Sequence, residues 1–307
     1  MRKSRTRLLL ALATLATAAG WVRAARAATA VIDSAYRQSF DRWQGEQVED
    51  LKQNWLTLAG LFWLKPGSNR FGSGADQDIV LPAGRAPLQA GSFEFDRGQV
   101  TVRLAGGTRA TVAGGTFTEA PLRSDAPGPP TVIEMGSLRM YVIERGKRTG
   151  IRVKDLESPA AERYRGPIFY DLSARYLIDA AWVPSAGKQT VDVPNVLGDL
   201  IPTPVSGAVH FTLDGEQQQL IELGGNPAKG LFFVFSDATS RTDTYPGGRF
   251  LETGPVVDGH VLLDFNRAYN PPCAVTPYAT CPLAPAQNRL RIAITAGERY
   301  DRSQGHP

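Results

Sequence analysis

From Trp55 onward the chain sustains no helical pattern, and that limits its fold more than any single motif. Short runs of β-branched, aliphatic and aromatic residues follow one another at 58–64, 78–81, 99–104, 130–134, 139–144 and 150–154. Gly, Pro, Asp and Asn separate them, with strong turn signals at Asp96-Arg-Gly98 and over 145–150. Leu138, Met140 and Val142 alternate with Arg139, Tyr141 and Ile143, which is the pattern of a half-buried antiparallel strand. After a connector at 156–168 the same texture resumes. Runs at 176–183 and 189–196 flank a turn at 184–187, and runs at 209–213 and 219–223 flank Asp214-Gly215, a two-residue hairpin signal. The continuous apolar run 231–235 suits a central strand, 261–265 another, and 291–295 a last one. The expectation is a mainly β fold of two packed antiparallel units, sandwich or barrel type, with one N-terminal amphipathic helix. The expected divisions are 1–27 for a signal peptide, 28–56 for the helix, 57–155 for the first β unit and 156–307 for the second.

The N-terminal segment reads as an export signal. Arg2, Lys3, Arg5 and Arg7 precede an apolar stretch from Leu8 to Ala19, and Ala25-Arg-Ala27 has the small-residue spacing of a cleavage site. About twenty apolar residues are needed to span a bilayer, and neither this stretch nor any later one is that long. The expected address is periplasmic or secreted, with no integral membrane segment after cleavage. Residues 1–27 hold six Lys or Arg and no acid, so cleavage takes the formal charge from +4 to −2. A near-neutral mature chain gives no electrostatic case for nucleic acid. Beyond the signal, Tyr36, Phe40, Trp43 and Leu51 recur at helical spacing among charged residues, with Ser34 as the expected N-cap and a weak point at Gly45. That aromatic stripe reads as a face laid on the rest of the protein.

Chemistry concentrates late in the chain. The stretch 264–290 holds both cysteines and five of the 22 prolines. It opens with Asp264, Asn266, Arg267, Tyr269 and Asn270. In an oxidising compartment Cys273 and Cys281 are expected to form a disulfide, which for so short a loop contributes roughly 2.6 kcal/mol in the chain-entropy account. Arg267, Tyr269 and Asn270 read either as the wall of a pre-organised pocket or as groups bonded to their own loop. Upstream, Asp237 ends an apolar strand, and Arg249 is placed to pair with it or with Asp264.

Several of these motifs resemble one family. Trp55-Leu-Thr-Leu-Ala-Gly-Leu-Phe-Trp-Leu64, Gly67-Ser-Asn-Arg-Phe-Gly72, Arg145-Gly-Lys-Arg-Thr-Gly-Ile-Arg152 and Asp264-Phe-Asn-Arg-Ala-Tyr-Asn-Pro-Pro-Cys273, with Cys281-Pro-Leu, resemble the domain of unknown function 1684 family. The resemblance runs from about Ser34 to Tyr300 and implies no activity, cofactor or substrate. One departure is Ala284, where the family tends to have proline. Within residues 57–155, the run from Gly67 to Leu81 is similar to the opening of a forkhead-associated β-sandwich. Those domains hold phosphothreonine with an arginine where this chain has Ser73, so the sandwich is implied and the phosphopeptide function is not.

Standard catalytic signatures are missing. There is no Gly-x-Ser-x-Gly elbow, no His-Glu-x-x-His and no phosphate-cradling loop. Ser185-Ala-Gly-Lys188 sits where a turn is expected. His210, His260 and His306 are the only histidines, too few with two cysteines for a zinc site unless the thiols stay free. No cofactor and no metal is expected. The basic hairpin with Arg145, Lys147, Arg148, Arg152 and Lys154 reads as an anion clamp or as a charged sheet edge. Three readings follow. The leading one is binding of a small polar or anionic ligand through Asn266, Arg267, Tyr269, Asn270, Arg249, Arg145 and Arg152. The second is an envelope hydrolase with Asp237 or Asp264 as base, and the third is an interaction module without a small-molecule site. Nothing in the sequence sets the oligomeric state.

Overall fold

A computed structural model describes residues 31–305. The expected signal peptide, 1–27, and His306 lie outside the described residues. Helix α1 (Ser34–Asp50) continues as one wide π turn over Leu51–Trp55. Its N-cap is Asp33 rather than Ser34: the Asp33 carboxylate accepts the Tyr36 N–H at 2.7 Å, satisfying a first-turn donor that has no helical partner. The helix passes through Gly45 without a break. The aromatic stripe does lie on the body of the protein. Phe40 is buried, its ring 5.2 Å from Phe169, and Trp43 packs at 5.9 Å from Phe169 and 6.2 Å from Tyr269.

The rest is mainly β in open, largely antiparallel sheets. In the first half, a six-stranded sheet is built around Leu58–Trp63, Arg148–Asp155 and Leu138–Arg145. A five-stranded sheet is built around Gly67–Gly72, Gly91–Asp96 and Gln99–Leu104. Both contribute to one core that includes Phe71, Phe93, Val102, Ile133, Met140, Ile151 and Val153. Strand alternation then decides the site: with Ile151 and Val153 in this core, Arg152 between them lies on the opposite face of the sheet.

The second half has a four-stranded sheet, with Leu200–Leu213 and Leu177–Pro194 at its centre, and a three-stranded sheet with Gly230–Phe235 in the middle. Their core includes Val209, Phe211, Phe233, Phe235, Leu263 and Phe265. The apolar run 231–235 is therefore central, as its composition requires. Asn288, fully buried, ties the two sheets together: its side chain accepts the Ile221 N–H at 2.7 Å and donates to the carbonyls of Ile221 and Val234 at 2.9 and 3.0 Å.

Three expectations need correction. The chain does not turn at 184–187; Leu177–Pro194 is one strand whose register slips between Pro184 and Gln189, and the reversal comes after Pro194. Residues 291–295 are not a strand, because their backbone groups serve side chains and a neighbouring loop: the Ile294 carbonyl accepts from Arg249 at 3.0 Å, the Thr295 N–H donates to the Tyr176 hydroxyl at 3.1 Å, and the Ile292 carbonyl accepts the Ala238 N–H at 3.0 Å. The connector contains a short helix, α2 (Pro159–Arg163), capped by Ser158. Among the described residues, no helix is long and apolar enough to cross a membrane.

Candidate functional site

Two groups of expected site residues are braces. At the first, Asp264 accepts from the Tyr36 hydroxyl at 2.9 Å and the Asn266 amide at 3.2 Å, and forms an ion pair with Arg267, whose Nε stands 3.1 Å away without hydrogen-bond geometry. Arg267 also donates to Ser39 at 2.7 Å and lies over the rings of Tyr36 and Trp43. Asn266 closes a two-way bond with the backbone of Ser173, accepting its N–H at 2.9 Å and donating to its carbonyl at 3.1 Å. Burial pushes the Asp264 carboxyl above its ordinary value against these donors, and pushes the Tyr36 phenol up as well. The whole set fastens α1 to the loop.

The second brace is internal. Arg249, 1 % exposed, donates to Asp237 at 2.7 Å and also to the backbone carbonyl of Ala296. The other Asp237 oxygen accepts the Thr239 N–H and hydroxyl at 2.7 and 2.6 Å. A pair so thoroughly bonded fixes the course of 235–240 against 294–296. Asp237, Asp264, Asn266, Arg249 and Arg267 are thus engaged with the protein itself.

The concave site lies on the other side of the loop. A cavity of about 460 Å³ is walled by α1 and its π turn, the basic hairpin and the proline-rich stretch from Tyr269 to Pro272. Its apolar lining includes Val48, Leu51, Trp55, Phe169, Phe250 and Val275. Its polar lining includes Asp50, Arg145, Arg152, Tyr164, Glu252, Tyr269, Asn270, Thr280 and Glu298. The size and the apolar wall with a few polar groups match a small-molecule site. Four of the seven expected ligand residues meet here: Arg145, Arg152, Tyr269 and Asn270.

The two arginines differ in how far they are satisfied. Arg145 pairs with Asp125 at 2.8 Å and donates to Thr280 at 3.1 Å. Arg152 is 5 % exposed and forms no ion pair among the described residues; its one hydrogen bond runs to the Tyr278 carbonyl at 3.4 Å, and its Nε is buried without a partner. The charge of Arg152 acts on its surroundings, helping to hold Asp125 low and Lys154 low.

Opposite charges enter from the other wall. The Asn270 N–H donates to Glu298 at 2.7 Å and its amide nitrogen to the Arg299 carbonyl at 3.0 Å, leaving the buried Asn270 Oδ1 unpartnered. Burial outweighs that N–H and pushes Glu298 from 4.5 to about 7. Glu298 reaches the cavity because Gly297 lets the backbone pass close: a Cβ there would stand 2.6 Å from the Ala268 carbonyl, at φ +79°. The Tyr269 hydroxyl donates to Glu252 at 2.7 Å. The cavity's Trp55, Tyr164, Phe250, Glu252 and Glu298 escaped the sequence reading, since only the tertiary fold collects them.

Cys273 and Cys281 are both buried. They are adjacent: the Cys273 N–H donates to the Cys281 sulfur at 3.3 Å. A thiol hydrogen bond pulls Cys273 down and pushes Cys281 up. Cys281 lines the cavity. Ser73, at the position of the phosphothreonine-binding arginine in forkhead-associated domains, donates to the Ala86 carbonyl at 2.7 Å.

A family model described as protein of unknown function, DUF1684, matches residues 162–299. That span holds the Tyr164-to-Glu298 side of the cavity; α1 and the arginines of the basic hairpin lie before it. No curated protein matches the chain. Among solved structures, the solution NMR structure of an uncharacterized protein from Haloarcula marismortui is 32 % identical over 45 % of this chain and 78 % of that one, with a TM-score of 0.38. Two weaker likenesses are to FHA domains. The FhaA FHA domain, crystallised with the intracellular domain of another protein, is 19 % identical over 31 % of this chain and 97 % of that one, with a TM-score of 0.22. A structure concerned with phosphothreonine-dependent FHA interactions is 20 % identical over 31 % and 92 %, with a TM-score of 0.23.

Proposed function

Because the family model that matches residues 162–299 is one of proteins of unknown function, it lends no activity, and we propose from the site alone that the chain is an exported binding protein for a small organic anion. The observation that carries this reading is Arg152. A guanidinium taken out of water without a counter-charge is costly, and natural proteins seldom leave one unpaired. Its forked donors match a carboxylate or phosphate edge, and Arg145, paired with Asp125, stands beside it. Trp55, Phe169 and Phe250 would cover the apolar body of such a ligand.

Export belongs to the same proposal. The basic head, the apolar stretch and Ala25-Arg-Ala27 support cleavage after residue 27. In an oxidising compartment the adjacent thiols of Cys273 and Cys281 would join, stiffening the wall that carries Pro271, Pro272 and Pro282.

Native mass spectrometry of protein purified from the envelope fraction tests the reading. It predicts a mature chain beginning at Ala28, with an acidic small molecule retained by the natural protein and absent from Arg152→Met. A bare natural protein that also fails to retain any of a panel of aliphatic and aromatic carboxylates contradicts it.

A further inference from the structure

The cavity is charged oppositely at its two ends. Arg145 and Arg152 lie with Thr280 and Cys281, whereas Tyr164, Asn270 and Glu298 also line a smaller depression that neither arginine reaches. The charge of Arg152 acts on Cys281, and the cation that acts on Glu298 is Arg249, behind the wall. Glu298 forms no ion pair with any described residue. The acid and the guanidinium groups are therefore held apart in one cavity instead of neutralising each other.

What the far end offers a ligand is acceptors. The Asn270 amide is fixed in orientation by its bond to the Arg299 carbonyl, so its oxygen is the atom left over, buried and unpartnered. Glu298 accepts the Asn270 N–H at 2.7 Å, and the Asn270 side chain bonds its carboxyl as well. Two adjacent acceptors, one of them a carboxylate, suit an ammonium group, which brings three donors and a positive charge. The rest of the lining includes the apolar Phe169, Phe250 and Val275, and also the acids Asp50 and Glu252.

We infer that the ligand is a zwitterion, with an acid at Arg145 and Arg152, an ammonium group at Asn270 and Glu298, and a short apolar body between them. The class is that of ω-amino acids. An α-amino acid carries both charges on one carbon and cannot serve both ends. This rests on the anion reading above and adds the second pole. It also gives Glu298 a role, since a bound ammonium supplies the counter-charge that the half-buried carboxyl lacks.

Calorimetric titration of the mature chain at pH 7.5 tests the pole. The probes are ω-amino acids of three to eight carbons, each set against the unbranched carboxylate of the same length. The expected result is at least one length at which the amino acid binds about tenfold more tightly, the worth of one charge-assisted hydrogen bond. Glu298→Gln should remove that advantage and leave the plain carboxylate within about twofold of its natural affinity, while Arg152→Met loses both series. The comparison within the natural protein does not depend on either variant folding. Carboxylates that bind as tightly as every amino acid, and still require Arg152, would overturn the ammonium pole alone. Failure of both series would overturn the anion site with it.

Discussion

Arg152 meets a single acceptor among the described residues, the carbonyl of Tyr278, and at 3.4 Å that bond is weak. Arg249, equally buried, meets Asp237 at 2.7 Å and the carbonyls of Ala296 and Ile294. Both guanidinium groups have been taken from water and both keep a buried Nε without a partner, but only Arg249 has been given a counter-charge. The contrast separates an arginine that holds the fold from one that faces a cavity.

Removing Arg152 should therefore leave the protein no less stable. Arg152→Met keeps the aliphatic stem and removes a buried charge without an ion pair. Unfolding in urea is expected to give a stability equal to the natural protein or higher by roughly 1–2 kcal/mol. A loss of similar size would mean that Arg152 is a brace after all.

Asp237→Asn should behave in the opposite way. It leaves Arg249 buried without its counter-charge, at a cost of roughly 3–5 kcal/mol. The same urea curves check it, and a variant within about 0.5 kcal/mol of the natural protein would refute the brace.

These contrasts explain how much could be read beforehand. The β texture, the helix face and the Asp214-Gly215 hairpin are local patterns, and they appear as expected. The turn at 184–187 was signalled by Pro184 and Gly187, yet the chain uses those residues in a register slip inside a long strand. Residues 291–295 have strand composition but lend their backbone to Arg249 and Ala238. Five of the nine expected catalytic and ligand residues are braces, because sequence shows polar groups and not which way they face. Tyr164 and Glu298 carry no local signal; they meet in the cavity because Ile168–Phe169 pairs with Glu298–Arg299.

Glu298 makes stability depend on pH. Its carboxyl is raised by burial from 4.5 to about 7, so folding favours the protonated form. Its contribution is complete below pH 4.5 and is lost as pH rises toward 7, by at most roughly 3 kcal/mol. Urea titrations from pH 4 to 8 should show this fall in the natural protein and a flatter profile in Glu298→Gln. Parallel profiles would show that Glu298 ionises in the folded protein as easily as in the unfolded chain.

The thiols offer a separate check. Oxidation of Cys273 and Cys281 should lower the mass by two hydrogens and raise the stability by roughly 2–3 kcal/mol over the reduced protein. Oxidised protein that melts at or below the temperature of the reduced form would show that the bond strains the loop.

The most direct measurement is nitrogen-15 NMR of the arginine side chains during a titration with 6-aminohexanoate and hexanoate. The Nε–H signal absent from Arg152→Met identifies Arg152. The account predicts that this signal moves downfield and saturates with at least one of the two probes, while the signal absent from Arg249→Met stays in place. An Arg152 signal that does not move with either probe, up to concentrations at which the ligands crowd the protein generally, would contradict the anion site.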